Sequence, residues 1–144
     1  MGEGAVLTGR RAVLAGLLAS AALPALAETT REERARFMAR ALEMRDEAVR
    51  RGDQAFGAVV VKGGRIVGEG VSAVLTRPDP TAHGEIEAIR DAARKLNSRD
   101  LFCAELYSSF RPCPMCEAAA AWAGIVRVWY GSELTDGGVP RMSR

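Results

Sequence analysis

Two short motifs constrain the fold of this chain more than any other feature. The histidine of the first motif and the first cysteine of the second lie 30 residues apart. The first reads His-Gly-Glu at residues 83–85, and the second reads Pro-Cys-Pro-Met-Cys at residues 112–116. Cys113 and Cys116 are three residues apart, so they point to one side if a helix starts there. Free amide groups and the positive end of the helix dipole favour thiolates at such a start. The spacing therefore predicts two helix starts that carry chemically reactive side chains.

An imidazole and two thiolates make a three-ligand set for zinc, with a fourth position left open for water. His83 is the only histidine in the sequence, and Cys103 is the only other cysteine. We expect Cys103 to lie in the middle of a buried strand, outside the set. Two plainer interpretations remain open at this point, because a single Cys-x-x-Cys can be a redox pair or half of a structural zinc site.

Glu85 supplies a function that a bound metal lacks. A carboxylate near a zinc-bound water can take its proton and pass protons to a substrate, which makes Glu85 the candidate catalytic residue. His83 and Glu85 are two residues apart and would diverge on the side of a helix. Both can reach one site only if it lies beyond the N-terminal end of that helix.

Hydrophobic periodicity predicts seven elements in the order α-β-β-α-β-α-β. Thr30 and Glu33 form a predicted capping box at the first helix. On the second helix, the predicted buried stripe is Ile86, Ile89, Ala93 and Leu96. This order predicts an α/β fold with three layers, in which helices cover both faces of the sheet. The predicted helices cover residues 31 to about 51, about 82–96 and 112–123, and the predicted strands cover residues 56–62, 65–74, 101–108 and 125–130.

The N-terminal segment has the order of a secretory signal peptide. Arg10 and Arg11 precede an apolar run from Ala12 to Leu26, and Ala-Leu-Ala at 25–27 is a typical cleavage site. The arginine pair favours twin-arginine export over the general secretory route, without excluding the latter. We therefore expect residues 1–27 to be a signal peptide and residues 28–144 to be one domain. That domain would be periplasmic with no stable membrane anchor after cleavage, and a cytoplasmic location is the alternative.

Electrostatics argue against a nucleic-acid partner. The whole chain has a formal net charge of +2, and the predicted signal removes two arginines and one acid to leave +1. A near-neutral domain lacks the basic surface of a tight nucleic-acid binder.

Three segments resemble the cytidine and deoxycytidylate deaminase superfamily. Within that superfamily, they are most similar to bacterial guanine deaminases and to the related tRNA adenosine deaminases. They are residues 56–61 (Phe-Gly-Ala-Val-Val-Val), 79–83 (Asp-Pro-Thr-Ala-His) and 112–116. The pair of motifs His-x-Glu and Pro-Cys-x-x-Cys is the known signature of zinc nucleobase deaminases. The resemblance implies a mixed sheet, one zinc per subunit and a homodimer or higher oligomer.

The expected function is hydrolytic release of ammonia from a nucleobase or related amino-heterocycle, with a guanine-like purine favoured. The substrates would be a small-molecule base and water. The alternatives are a cytosine or nucleoside deaminase of the same fold and a non-catalytic binding module stabilised by zinc. Candidate substrate contacts are Phe56, Ser72, Phe110 and Arg111, and Trp122 is a further candidate stacking face unless it is part of the core. Ser72 and Arg111 stand where these relatives usually carry an asparagine and a glutamate.

Overall fold

The structure is a computed structural model that describes Met1 and residues 29–142. The predicted signal peptide lies almost wholly outside these residues. The described chain forms three helices and five strands, in the order α-β-β-α-β-α-β-β. The helices are α1 (Arg31–Arg50), α2 (Gly84–Leu96) and α3 (Pro114–Trp122), and the strands are β1 (Gly57–Lys62), β2 (Arg65–Val71), β3 (Ala104–Ser108), β4 (Arg127–Tyr130) and β5 (Thr135–Gly138).

The five strands form one mixed sheet in the order β2-β1-β3-β4-β5. Only β3 and β4 are parallel neighbours, and the other pairs are antiparallel. α1 packs on one face through Phe37, Met38, Ala41 and Met44. The opposite face carries α2 and α3, whose alanines pack on Val60, Leu106 and Val128. This confirms the predicted three-layer α/β fold.

The start of α1 follows directly from its sequence. The Thr30 hydroxyl accepts a hydrogen bond from the Glu33 amide, and the Glu33 carboxylate accepts one from the Thr30 amide. This reciprocal capping box satisfies two of the amides that a helix start leaves unpaired.

Within the described residues, no helix is both long and apolar enough to cross a membrane.

The predicted buried stripe of α2 is wrong in most of its positions. The apolar residues that α2 buries are Ile86, Ala88 and Ala92, whereas Ile89 and Ala93 are half-buried and Leu96 is exposed. The reason lies on the neighbouring strand. A Cβ added at Gly68 would lie 2.7 Å from the Ala92 Cβ, and one added at Gly70 would lie 1.9 Å from the Gly84 carbonyl oxygen. α2 therefore approaches β2 through its smallest residues, not its largest.

Three further expectations need correction. Cys103 is not in a strand: it is half-buried in the turn before β3, with a φ of 66°. Trp122, at the end of α3, is 80% exposed and so is not part of the core. β5 was not predicted, because Thr-Asp-Gly-Gly has none of the apolar alternation of a strand. Several predicted elements also extend beyond their observed ends by a few residues.

Candidate active site

Three side chains converge at the N-terminal ends of α2 and α3. The Nδ1 atom of His83 lies 3.7 Å from the Cys113 sulfur and 3.6 Å from the Cys116 sulfur, and the two sulfurs are 3.6 Å apart. A disulfide requires a sulfur separation of about 2.05 Å, so the cysteines are not paired as a redox disulfide. The predicted ligand set is thus brought together as a compact triangle.

The dimensions of the triangle fit zinc. Ligands at about 2.3 Å for sulfur and about 2.0–2.1 Å for nitrogen, held at tetrahedral angles, would be separated by about 3.5–3.8 Å. Of the described residues that could hold a metal, these three form the one cluster found, with all ligand atoms within 4.8 Å of one another. Three ligands leave the fourth tetrahedral position open, as in catalytic zinc sites.

The environment of Cys116 also fits a cation. Burial, and then the charge of Glu85, raise the pKa of the Cys116 thiol well above its ordinary value. Cys116 has no exposed surface, so water cannot stabilise its thiolate. A divalent cation between the sulfurs and the imidazole supplies the positive charge that such a thiolate needs.

Local helix geometry aims these side chains at one another. His83 is the N-cap residue of α2, and Cys113 is the N-cap residue of α3. Neither side chain makes the capping hydrogen bond that is usual at this position, so both remain available as ligands. Pro114 occupies the first turn of α3, where the missing amide hydrogen costs nothing.

Glu85 lies in the first turn of α2 and is only 4% exposed. The Ser108 hydroxyl donates a hydrogen bond to its Oε1 atom at 3.1 Å. The charge of Glu85 also contributes to the raised pKa of the Cys116 thiol, which places the carboxyl near that sulfur. A buried carboxylate therefore stands beside the ligand triangle, at the place expected for a proton carrier. Sequence patterns pointed to Glu85 but did not identify Ser108.

A second carboxylate, which the sequence analysis missed, holds the loop that leads to His83. Asp53 accepts hydrogen bonds from the amides of residues 54, 74, 75 and 76 and from the hydroxyls of Ser72 and Thr76. The loop then returns to α2 through a hydrogen bond from the Ala73 amide to the Ala82 carbonyl. An aspartate after a helix-ending glycine carries no sequence signal for contacts so far along the chain.

The four candidate substrate contacts lie in three different settings. Phe56 and Phe110 lie together, with ring centroids 6.0 Å apart, and Phe110 is 63% exposed. Ser72 is 1% exposed, and its hydroxyl is engaged by Asp53 at 2.8 Å. Arg111 is exposed and lines a cleft of about 270 Å³ beside Pro112, together with Tyr130 and Asp136 among others. Substrate binding by any of the four residues stays a prediction.

Comparisons with known proteins agree on one family. Residues 31–132 match the family described as the cytidine and deoxycytidylate deaminase zinc-binding region. Guanine deaminase of Bacillus subtilis is 46% identical over 101 residues, which cover 69% of this chain and 65% of the relative. A tRNA-specific adenosine deaminase of Agrobacterium fabrum is 39% identical over 106 residues, which cover 74% of this chain and 70% of the relative.

Solved structures give the same result. The crystal structure of the Bacillus subtilis guanine deaminase matches with a TM-score of 0.65 at 43% identity, over 71% of this chain and 64% of that chain. A structure of a protein in complex with 2,6-diaminopurine matches with a TM-score of 0.65 at 28% identity, over 67% of this chain and 55% of that chain. The chain thus spans just under two thirds of the length of its Bacillus subtilis relative. The match to the family model and the converging ligand triangle lead to one conclusion: the chain belongs to the cytidine and deoxycytidylate deaminase zinc-binding family.

Proposed function

We propose that this protein is a zinc-dependent hydrolytic deaminase that releases ammonia from a nucleobase, with a guanine-like purine as the favoured substrate. One observation carries the proposal: an open set of three ligands, His83, Cys113 and Cys116, has the buried carboxylate of Glu85 beside it. A purely structural zinc site is closed by a fourth protein ligand and needs no buried acid.

The proposed chemistry assigns separate tasks to these residues. His83, Cys113 and Cys116 would hold the zinc, which would lower the pKa of a water molecule to about 7. Glu85 accepts the proton of the attacking water and donates it to a ring nitrogen. It then takes the proton of the hydroxyl group newly added to the ring carbon and transfers it to the departing amine. A C–O bond forms and a C–N bond breaks, so that water and the amino-heterocycle become the carbonyl compound and ammonia.

Two observations favour a purine. A relative 46% identical is named guanine deaminase, and a structural neighbour was solved with 2,6-diaminopurine. In this chain, the neighbouring rings of Phe56 and Phe110 offer an apolar surface against which a planar base can pack. The relatives also include tRNA-specific adenosine deaminases, but the formal net charge of +2 gives this chain little of the positive field that nucleic acid requires.

The test is ammonia release by zinc-loaded protein from a panel of guanine, 2,6-diaminopurine, adenine, cytosine, cytidine and an RNA hairpin that presents an unpaired adenosine. We expect release from the free purines, with guanine or 2,6-diaminopurine giving the highest kcat/KM. Cytosine or cytidine as the best substrate would support the alternative deaminase. One zinc per chain with no ammonia from any compound would support the non-catalytic module.

We also propose that residues 1–27 direct export and that residues 28–144 form the mature periplasmic domain. The support is the order of arginines, apolar run and small residues in that segment. Export in the folded state by the twin-arginine route would let zinc occupy the cysteines before they meet an oxidising compartment.

A homodimer is the oligomeric state that we propose. Trp122 and Phe102 are 80% and 62% exposed. A hydrogen bond from the Leu101 amide to the Ala123 carbonyl brings their two segments together at the end of α3. Large exposed apolar side chains are typical of interaction surfaces. Sedimentation of the parent and of Trp122→Glu tests the proposal: a monomeric parent, or a dimeric Trp122→Glu variant, would contradict the assignment of this surface.

A further inference from the structure

We propose that Ser108 is a positioning residue whose hydroxyl holds the Glu85 carboxylate in the orientation that proton transfer requires. This inference rests on the proposed function and extends it to a residue outside the ligand triangle. The Ser108 Oγ atom lies 3.1 Å from Glu85 Oε1, and the two residues are 1% and 4% exposed.

Ser108 places a polar hydroxyl group on a strand face that is otherwise apolar. β3 alternates between the two faces of the sheet, so Ala104, Leu106 and Ser108 share the face that packs against α2 and α3. The first two belong to the apolar core on that face. Ser108 is therefore the one polar residue of this strand face, and it comes where the strand reaches Glu85. A buried hydroxyl without a partner would destabilise the fold, so the carboxylate and the hydroxyl satisfy each other.

The direction of the hydrogen bond follows from the neighbours of Ser108. The Phe110 amide donates weakly to Ser108 Oγ at 3.5 Å, which leaves the hydroxyl proton for Glu85. The Ser108 hydroxyl is the donor and Glu85 Oε1 is the acceptor of this bond. With Oε1 held by Ser108, the second oxygen of Glu85 remains available for proton transfer.

The bond also ties the two halves of the site together. Glu85 belongs to the first turn of α2, whereas Ser108 ends β3, and five residues later Cys113 starts α3. The Ser108 carbonyl in turn accepts a hydrogen bond from the Gly131 amide after β4, which fixes the end of the strand. Ser108 thus sets the position of the proton carrier relative to the helix that supplies two metal ligands.

Two isosteric variants isolate the hydroxyl. Ser108→Thr keeps the hydroxyl, and Ser108→Val carries a methyl group in its place. Threonine and valine have nearly the same shape, and both residues favour strands. We expect Ser108→Val to lower kcat by about 10- to 100-fold, the loss that corresponds to an unsatisfied hydrogen bond to a charged group, with KM within about threefold. Ser108→Thr should retain most of kcat. Zinc content should remain near the parent value in both variants, because Ser108 acts through Glu85 and not through the metal ligands. The melting temperature of Ser108→Thr should stay close to that of the parent, whereas that of Ser108→Val should fall, because the buried Glu85 carboxylate loses its hydrogen-bond donor.

The matched control is Tyr107→Phe. Tyr107 precedes Ser108 on the same strand, is also buried, and donates its hydroxyl to a carboxylate, Glu105, on the opposite face of the sheet. Its kcat should equal that of the parent. Ser108→Ala resolves the case in which the larger side chains do not fit, and it too should lose kcat. A kcat within threefold of the parent in Ser108→Ala would overturn the role of Ser108, and so would equal losses in the Thr and Val variants if Ser108→Ala keeps the parent kcat. Failure of the parent protein to release ammonia would instead contradict the proposed function.

Discussion

Cys116 is the most deeply buried of the three residues that form the ligand triangle, with no exposed surface. Cys116→Ala removes one of the three proposed zinc ligands and leaves only two protein ligands for the metal. We expect zinc content to fall from one per chain towards zero. The melting temperature should drop by more than about 10 °C, because metal binding contributes to folding stability. Both quantities are measured on the same preparation, by metal analysis and by thermal unfolding.

Cys103 provides the control for this prediction. It lies in the turn before β3, outside the ligand cluster, so Cys103→Ala should keep its zinc. Full zinc occupancy in Cys116→Ala would remove this residue from the ligand set.

Arg111 is the residue at which we expect substrate preference to differ from that of relatives with an acid at this position. Its guanidinium lines the cleft beside Pro112 and can donate paired hydrogen bonds to an anionic or carbonyl-rich ring. Arg111→Glu should therefore change the order of kcat/KM values across the purine panel by about tenfold, the effect of losing one hydrogen bond to a charged group. An unchanged ranking of the purine panel would show that Arg111 plays no part in selection.

At the scale of elements, Asp53 joins the end of α1 to the loop between β2 and α2. Burial opposes its charge, but hydrogen bonds from Thr76, Gln54 and Ser72 outweigh that effect and hold the pKa of the carboxyl well below its usual range. A depressed pKa means that the ionised form stabilises the folded state at neutral pH. That stabilisation is lost as the pH falls below the unfolded value of about 3.9.

Asp53→Asn tests this assignment because it keeps the size of the side chain and removes its charge. We expect a lower melting temperature than the parent at pH 7, and a difference that shrinks as the pH falls below about 4. The comparison requires thermal unfolding of both proteins across that range. A constant difference between pH 7 and pH 3 would mean that the charge of Asp53 does not hold the loop.

Local signals predicted the elements that local interactions determine. The capping box of α1, the strands β1 and β2 with their short connection, and the helix starts at residues 83 and 113 each depend on residues that are neighbours in the sequence. The same signals predicted that His83 and the two cysteines converge, because all three lie at those helix starts.

Contacts between distant segments were not predictable in this way. The glycines of β2 decide which face of α2 is buried, the Ser108 hydroxyl meets a helix 23 residues earlier in the chain, and β5 pairs with β4 without an apolar pattern of its own. Each of these three features depends on how the folded sheet packs, and a short stretch of neighbouring residues in the sequence carries no information about that packing.

For the whole molecule, the export hypothesis makes a prediction about location and mass. The native host should contain protein that lacks residues 1–27 in its periplasmic fraction, and Arg10→Lys/Arg11→Lys should leave the precursor in the cytoplasm. Fractionation with intact-mass analysis measures both. Unprocessed protein found only in the cytoplasm of the parent strain would contradict export and favour the cytoplasmic alternative.

In the proposed reaction, metal binding and proton transfer are carried out by different residues. Glu85→Gln keeps the shape of the side chain and removes the base, so it should separate the two tasks. The most direct measurement follows zinc content, melting temperature and ammonia release in this one variant beside the parent. We expect full zinc, a melting temperature close to that of the parent, and turnover reduced by at least about 10²- to 10⁴-fold, as for a positioned acid–base group. Full zinc and normal melting with turnover within threefold of the parent would contradict the central claim.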